Sequence, residues 1–166
     1  MLCCCQDSPI VTPYMQFYEL ETLCVLGRRT SVTKKVLSYW GGMLDLGATT
    51  FWELYDPRES GDQHYAMYGR TFGRSLCHAW GAAPIYLLGR YYLGVVPTAS
   101  GFCRYEVRPD LGGLKWMRGT VPTPNGEIKV EVRNGRATVH GCAAGTGVLH
   151  WNGKTVDIAP NASVTL

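Results

Sequence analysis

Three Asn-Gly dipeptides, each lying between short runs of alternating apolar and polar residues, constrain the fold of this chain most strongly. They are Asn125-Gly126, Asn134-Gly135 and Asn152-Gly153. Asparagine and glycine tolerate the left-handed backbone of a two-residue hairpin turn, and alternation at a period of two is typical of half-buried strands. The sequence from residue 98 onward therefore predicts a small antiparallel β-sandwich of about six or seven strands.

Upstream of residue 98, apolar residues recur at helical spacing. A first helix is predicted from Thr12, as the N-cap, to a stop at Gly27, with Pro13 in the first helical position. A second helix is predicted from Ser31 to about Leu46, and the short connection makes the pair an antiparallel hairpin. The residues of the second helix expected to point inward are Val32, Val36, Leu37, Trp40, Met43 and Leu44.

A third helical region is predicted over Ser75 to Leu93, after an irregular loop from Ala48 to about Gly61. This region is apolar on all sides, which is typical of a buried helix. Pro84 lacks an amide hydrogen, so we expect it to kink this helix or to mark a restart.

Composition excludes several classes of function. The chain has 166 residues, of which 46% are hydrophobic and 17% are charged, and its net charge is +3. This content provides a core for one domain or two small ones, but it lacks the strongly basic surface that binds nucleic acid. No run approaches the ~18 apolar residues of a membrane helix, so we predict no membrane partner.

Seven cysteines are present, and three of them are adjacent, at Cys3, Cys4 and Cys5. Adjacent thiols suit neither two disulfides nor a tetrahedral zinc site, and no Cys-x-x-Cys pair occurs, so no metal is predicted. No dinucleotide or phosphate-loop motif occurs either, and no cofactor is predicted. Free thiols and the absence of a signal-peptide pattern at the start favour the cytoplasm.

An acid and an imidazole lie among aromatic residues in two nearby blocks, Thr-Thr-Phe-Trp-Glu and Cys-His-Ala-Trp. Glu53 is a candidate general base, and His78 is a candidate site residue, because an acid and an imidazole among aromatic side chains are common in sugar sites. Trp52 and Trp80 offer apolar faces to a sugar ring. The structural alternatives are an exposed loop acid, a core histidine bonded to backbone, and two core tryptophans.

Several motifs, in order along the chain, carry a resemblance to a known family. They are Val-Thr-Pro-Tyr-Met at 11–15, Tyr-Trp-Gly-Gly-Met-Leu at 39–44, the block from 47 to 53, His-Ala-Trp at 78–80, Gly-Phe at 101–102 and Val-Pro-Thr-Pro-Asn-Gly at 121–126. Together they resemble the C-terminal end of the bacterial α-L-rhamnosidases, inverting glycoside hydrolases of the six-hairpin superfamily. The resemblance runs over nearly the whole chain.

The resemblance implies an α+β protein in two parts. Residues 1–97 would be the last helical hairpins of an (α/α)6 barrel, and residues 98–166 would be the C-terminal antiparallel β-sandwich. Glu53 would be the general base and His78 would contact the sugar of a rhamnose-containing oligosaccharide or glycoside.

The resemblance also implies that the family's general acid lies in an acidic block preceding residue 1. The chain is therefore expected to be a C-terminal fragment of a glycoside hydrolase and to be inactive alone. The other carboxylates near the two blocks have no counterpart in the family pattern: Asp45, Asp56, Glu59 and Asp62. His64 has no such support either, and it is interpreted as structural or exposed.

Two other functions stay open. One is a different exo-glycosidase or a glycuronyl hydrolase on the same helical toroid, because a fold does not fix a substrate. The other is a non-catalytic sugar-binding or assembly module that keeps half a site. An incomplete barrel would also expose apolar helix faces and favour a homo-oligomer, through Phe17, Tyr18, Leu20, Leu37, Trp40 and Leu44.

Overall fold

The computed structural model of the chain describes residues 10–166, which divide after Pro84 into two units. The three adjacent cysteines at 3–5 lie outside the described residues. Residues 85–97 belong by their contacts to the second unit. The family domain boundary predicted at 97/98 stays a prediction.

The first unit begins with the predicted helical hairpin, α1 (Pro13–Val25) and α2 (Arg29–Asp45). Both helices end at a glycine in the left-handed conformation, Gly27 with φ +72° and Gly47 with φ +87°. After each glycine, backbone amides return to carbonyls of the last turn, as in the amide of Arg28 bonding to the carbonyl of Leu23. This is the Schellman arrangement, and it explains why the glycines marked the helix ends in the sequence.

The hairpin is buried along a narrower stripe than the sequence predicts. The buried residues of the two helices include Leu20, Cys24, Val32, Trp40 and Met43. Leu37 and Leu44, which were expected to point inward, are 65% and 67% exposed. Two helices that pack against each other bury only the residues facing the partner, so the flanks of α2 stay open to solvent.

The prediction of a buried helical region over Ser75 to Leu93, kinked or restarted at Pro84, is correct only in part. The chain has no helix over 75–78, forms a single 3₁₀ turn at Ala79–Gly81, and then continues as α3 (Ala83–Leu87) and a π-helical turn (Leu88–Tyr92). Pro84 lies in the first turn of α3, where its missing amide hydrogen is tolerated, so it marks a restart. Several apolar residues of this region are exposed, namely Trp80, Ile85, Tyr86 and Leu88.

The second unit is built from strands, as predicted, and the described part of the chain has eight of them. They are β1 (Val95–Pro97), β2 (Arg104–Val107), β3 (Met117–Thr123), β4 (Gly126–Arg133), β5 (Arg136–His140), β6 (Thr146–Trp151), β7 (Lys154–Ile158) and β8 (Ser163–Thr165). These described strands form two four-stranded sheets, in the orders β1-β2-β6-β7 and β3-β4-β5-β8. Each neighbouring pair is antiparallel except β2 and β6, which are parallel.

The core of this β-sandwich follows from the alternation seen in the sequence. One sheet contributes Tyr105, Val107, Leu149 and Ile158, and the other contributes Ile128, Val130, Val132, Ala137 and Val139, all of them buried. The class is therefore α+β with sheets rich in antiparallel pairs. The three-residue strands β1 and β8 are too short to show alternation, so they were not predicted individually.

Two of the three Asn-Gly hairpins have the predicted turn. Asn134 and Gly135 have φ angles of +52° and +75°, and Asn152 and Gly153 have +49° and +74°. In the hairpin between β3 and β4, only Gly126 has a positive φ, at +100°. There Thr123 pairs with Gly126, so the turn residues lie one position earlier than the dipeptide suggests. Within the described residues, no helix has the length and apolar character needed to cross a membrane.

Candidate functional site

Two loop stretches of the first unit lie side by side and hold the predicted site residues. The amide of Glu53 donates to the carbonyl of Ser75 over 2.9 Å. The amide of His78 donates to the carbonyl of Phe51 over 2.8 Å, and the Thr50 hydroxyl adds a further hydrogen bond between the two stretches. These bonds bring Glu53 and His78 into one backbone-paired segment, although no regular strand forms there.

The Glu53 carboxylate is held at one oxygen. Its Oε2 accepts a hydrogen bond of 2.9 Å from the Ser75 amide, and the Glu53 carbonyl accepts one of 3.0 Å from Trp80 Nε1. Oε1 has no hydrogen-bond partner among the described residues. The residue is partly exposed, so this free oxygen can meet solvent.

His78 and Trp80 form an aromatic shelf beside Glu53. Their ring centroids are 4.2 Å apart with planes inclined by 32°, and the Trp80 ring also lies 5.7 Å from that of Tyr14. Trp80 is 41% exposed. In the part of the chain that the structure describes, neither ring nitrogen of His78 has a hydrogen-bond partner. The shelf therefore combines an apolar ring with free polar atoms, a mixture that suits a sugar.

Trp52 has a different environment. It is only 3% exposed, and its ring packs edge to face on Tyr65 at 5.7 Å. Gly81 approaches it so closely that a Cβ there would lie 2.8 Å from the Trp52 carbonyl oxygen. The Gly81 carbonyl in turn accepts a hydrogen bond of 2.8 Å from Trp40 Nε1. Trp52 thus lies beneath the loop, where it supports the site without offering a ring face to solvent.

A partly buried ion pair that sequence reasoning missed lies next to the site. The Arg74 guanidinium donates two hydrogen bonds of 2.6 Å to the Glu59 carboxylate, and the Arg74 side chain is 8% exposed. The same guanidinium donates to the carbonyl of His64, whose ring is buried and stacked on Tyr55. No spacing rule links two loop residues, so the sequence carried no signal for this pair.

The other carboxylates near the loop differ in their surroundings. Hydrogen bonds from the Arg58 guanidinium to Asp56 lower the pKa of that carboxyl from 3.8 to about 2. Glu59 is engaged by Arg74, while Asp45 and Asp62 are exposed. A general acid must keep its proton near neutral pH, which Asp56 does not. In residues 10–166, no group of three or more metal-ligating side chains comes together.

Comparison with known proteins finds a family model that matches part of the chain. Residues 94–140 match the family model described as the bacterial alpha-L-rhamnosidase C-terminal domain. The chain resembles the C-terminal portion of a bacterial α-L-rhamnosidase. No curated protein sequence matches the chain.

Solved rhamnosidases agree with this resemblance. The GH78 family rhamnosidase of Bacillus sp. GL1 is 35% identical, with a TM-score of 0.63 over 76% of this chain and 13% of that one. The Aspergillus terreus α-L-rhamnosidase is 16% identical, with a TM-score of 0.61, and the match covers 77% of this chain and 16% of that one. The Streptomyces avermitilis enzyme, complexed with L-rhamnose, is 18% identical, with a TM-score of 0.58 and coverage of 77% and 15%.

These rhamnosidases are much longer than the chain, which spans 13% to 16% of their length. At identities below 25%, the Aspergillus and Streptomyces matches establish the fold alone. The family model lies entirely in the second unit, whereas Glu53, His78, Trp52 and Trp80 lie in the first. The roles of these four residues therefore stay predictions.

Proposed function

We propose that the chain supplies the general-base side of an inverting α-L-rhamnosidase site, with Glu53 as the base. The observation that carries the proposal is the arrangement of the Glu53 carboxylate. Oε2 is held by the Ser75 amide, whereas Oε1 has no partner among the described residues. The held oxygen fixes the orientation of the group, and the free oxygen is available to a water molecule.

The chemistry assigned to Glu53 is one proton transfer. As the water oxygen bonds to the anomeric carbon, Glu53 takes a proton from that water and becomes a neutral carboxylic acid. A second carboxylic acid, about 6.5 to 9.5 Å away in inverting enzymes, protonates the departing glycosidic oxygen as its bond breaks. Asp56 and Glu59 are engaged in ion pairs and fit this second role poorly. We assign the acid to a segment outside this sequence, as the resemblance implies.

The substrate class is a terminal α-L-rhamnoside. His78 would donate or accept a hydrogen bond with a sugar hydroxyl through its free ring nitrogens, and Trp80 would pack on the sugar's apolar face. Trp52 would keep the loop in place from below. Support for the sugar comes from the related Streptomyces avermitilis enzyme, whose structure was determined with L-rhamnose.

The proposal also assigns the helical hairpin and the β-sandwich to the two domains of a rhamnosidase. The hairpin of α1 and α2 would be one of the last hairpins of an (α/α)6 barrel, within a family domain that spans residues 1–97. Residues 98–166 would form the β-sandwich domain that follows it. A barrel encloses a central cavity, which would provide the remaining walls of the sugar pocket.

A chimera tests the role of Glu53. This chain would replace the matched portion of the Bacillus sp. GL1 rhamnosidase, which is 35% identical to it, and hydrolysis of 4-nitrophenyl α-L-rhamnoside would be measured. Glu53→Gln keeps the shape of the side chain but cannot take a proton, so kcat should fall by about 10² to 10⁴ with little change in KM. The matched control is Asp62→Asn, an exposed acid of the same unit, which should leave kcat unchanged.

Azide provides a second readout in the same chimera. It needs no base, so it should restore turnover of Glu53→Ala and give a glycosyl azide of inverted configuration. Near wild-type activity of Glu53→Gln, together with no azide rescue, would show that Glu53 is not the base.

The isolated chain distinguishes the catalytic proposal from a sugar-binding module, which the partly exposed shelf of His78 and Trp80 also favours. Without its acid, the chain should not hydrolyse the aryl rhamnoside above the uncatalysed rate. Turnover by the isolated chain that vanishes in Glu53→Gln would place the acid within this sequence. The binding module would be favoured if the isolated chain and the chimera both bound rhamnose and the chimera, although folded, gave no turnover.

A further inference from the structure

The solvent face of the sheet β3-β4-β5-β8 carries an aligned row of one tryptophan and two arginines. Met117 pairs with Val132, so the preceding Trp116 lies next to Arg133 in the register. Arg133 pairs directly with Arg136 across the hairpin. The Arg133 guanidinium lies 5.3 Å from the centre of the Trp116 ring, which is 53% exposed.

The two arginines are placed against the rule for cross-strand pairs. Like charges directly opposite each other destabilise an antiparallel pair. Arg136 has no hydrogen bond or ion pair among the described residues, and Arg133 has only the aromatic contact. Their guanidinium groups are therefore uncompensated within this part of the chain, and an added anion would relieve the repulsion between them.

A depression lies beside this row. It has a volume of about 360 Å³ and is lined by Glu131, Arg133, Arg136, Thr138 and Thr165. The hydroxyls of the two threonines are 2.9 Å apart and hydrogen-bonded to each other. The one acid of the lining, Glu131, stands opposite Arg118 in the ladder.

The mixture of groups is more informative than the charge alone. Guanidinium forks bind planar carboxylates with two parallel hydrogen bonds. Threonine hydroxyls and an exposed indole suit a ring that has both hydroxyl groups and apolar faces. The chain's net charge is only +3, so a general electrostatic attraction for polyanions is weak.

We propose that this face, defined by Trp116, Arg133, Arg136, Thr138 and Thr165, binds a polysaccharide that carries carboxylate groups. Arg133 and Arg136 hold one carboxylate between them, and the open face of Trp116 packs against a neighbouring sugar ring. The proposal is independent of the role of Glu53, because every residue it uses belongs to the β-sandwich.

Matched oligosaccharides test the proposal on the full 166-residue chain. Unesterified oligogalacturonate and its methyl ester have the same backbone and differ in charge, and their binding would be compared by isothermal titration calorimetry. The unesterified form should bind, with affinity that falls as salt is raised, and the methyl ester should bind at least about tenfold more weakly. Equal binding of both forms, or binding of neither, overturns the proposal.

Variants locate the site. Arg136→Gln should weaken binding of the unesterified form by about tenfold, since it removes a charge-assisted contact. Trp116→Ala should weaken it as well. The matched control is Arg104→Gln, an exposed arginine on a strand of the other sheet, which should leave the affinity unchanged. A similar loss in this control, or no loss in Arg136→Gln, would refute the assignment to this face.

Two further measurements complete the test. Arg136→Glu creates an opposite-charge pair with Arg133, so it should raise the melting temperature while abolishing binding, which separates loss of the site from loss of fold. A sulfated polyanion of similar length should bind more weakly than oligogalacturonate. Equal or tighter binding of that polyanion would show non-specific charge attraction and overturn the proposal.

Discussion

His78 is the residue whose role in the site depends most on free polar atoms. Its backbone amide is bonded to Phe51, while both ring nitrogens lack partners among the described residues. In the chimera, His78→Ala should weaken competitive inhibition by L-rhamnose by about 1 to 3 kcal/mol, because a sugar hydroxyl loses its partner. The inhibition constant would be measured beside that of Cys77→Ser, an exposed neighbour.

The alternative for His78 is a structural histidine. In that event His78→Ala would lower the melting temperature and leave the inhibition constant for L-rhamnose unchanged. Cys77→Ser should change neither quantity, because the thiol is exposed and its replacement is nearly isosteric.

Asp56 should control part of the acid stability of the first unit. Hydrogen bonds from Arg58 depress its pKa from 3.8 to about 2 in the folded chain. A depressed carboxyl pKa stabilises the fold above the unfolded value of about 4 and loses this contribution as the pH falls through the folded value. Wild-type stability should therefore drop between about pH 4 and pH 2 by more than that of Asp56→Asn, measured by urea unfolding at each pH.

Arg58→Gln provides the matched control for this pH dependence. This variant removes the partner that lowers the Asp56 pKa, so its stability should fall less than that of the wild type between about pH 4 and pH 2. An identical pH dependence in wild type and both variants would mean that the ion pair contributes nothing measurable, as many exposed pairs do.

At the scale of elements, two glycines of the helical hairpin should respond oppositely to the same substitution. Gly47 ends α2 with φ +87°, and Gly41 lies within α2 with open space around its Cβ position. Gly47→Ala should destabilise the chain by about 1 kcal/mol, because alanine is strained in the left-handed conformation. Gly41→Ala should stabilise it by about 0.5 to 1 kcal/mol. Thermal unfolding of both variants measures the difference, and equal signs would contradict it.

Elements with local signals were the ones predicted well. The ends of α1 and α2 follow from glycines, and two hairpins follow from asparagine and glycine that both take positive φ. The helix predicted from Ser75 failed because its first residues bond to a distant loop, as the amide of His78 does to Phe51. Such non-local pairing leaves no period in the sequence.

The site shows the same division between local and non-local information. Glu53, His78 and Trp80 stand in two short blocks, so the sequence could name them as candidates, and their roles stay predictions. Burial of Trp52 was left as one of two alternatives, because it depends on Gly81 approaching the loop from another part of the chain. The ion pair of Arg74 with a distant loop acid was missed for the same reason.

At the scale of the whole molecule, the exposed apolar surface of the first unit has the largest consequence. Of the residues predicted to drive self-association, Leu20 and Trp40 are buried within the hairpin, whereas Tyr18, Leu37 and Leu44 are 48%, 65% and 67% exposed. Val25 and Leu26, near the end of α1, are also exposed. A contiguous apolar patch of more than a few hundred Å² is unusual on a soluble monomer.

We therefore predict that the isolated chain self-associates through α1 and α2. Removing apolar surface from water is favourable by about 25 cal/mol per Å². Burying several hundred Å² in a dimer therefore favours association by many kcal/mol before the cost of association is subtracted. Sedimentation velocity at micromolar concentration should show a dimer or larger species, and Leu37→Lys with Leu44→Lys should return it to a monomer of unchanged stability. The control Phe72→Ser removes an exposed aromatic side chain from the loop, and this variant should stay associated. A wild-type monomer that binds no hydrophobic dye would show that the patch is too small or too divided to drive association.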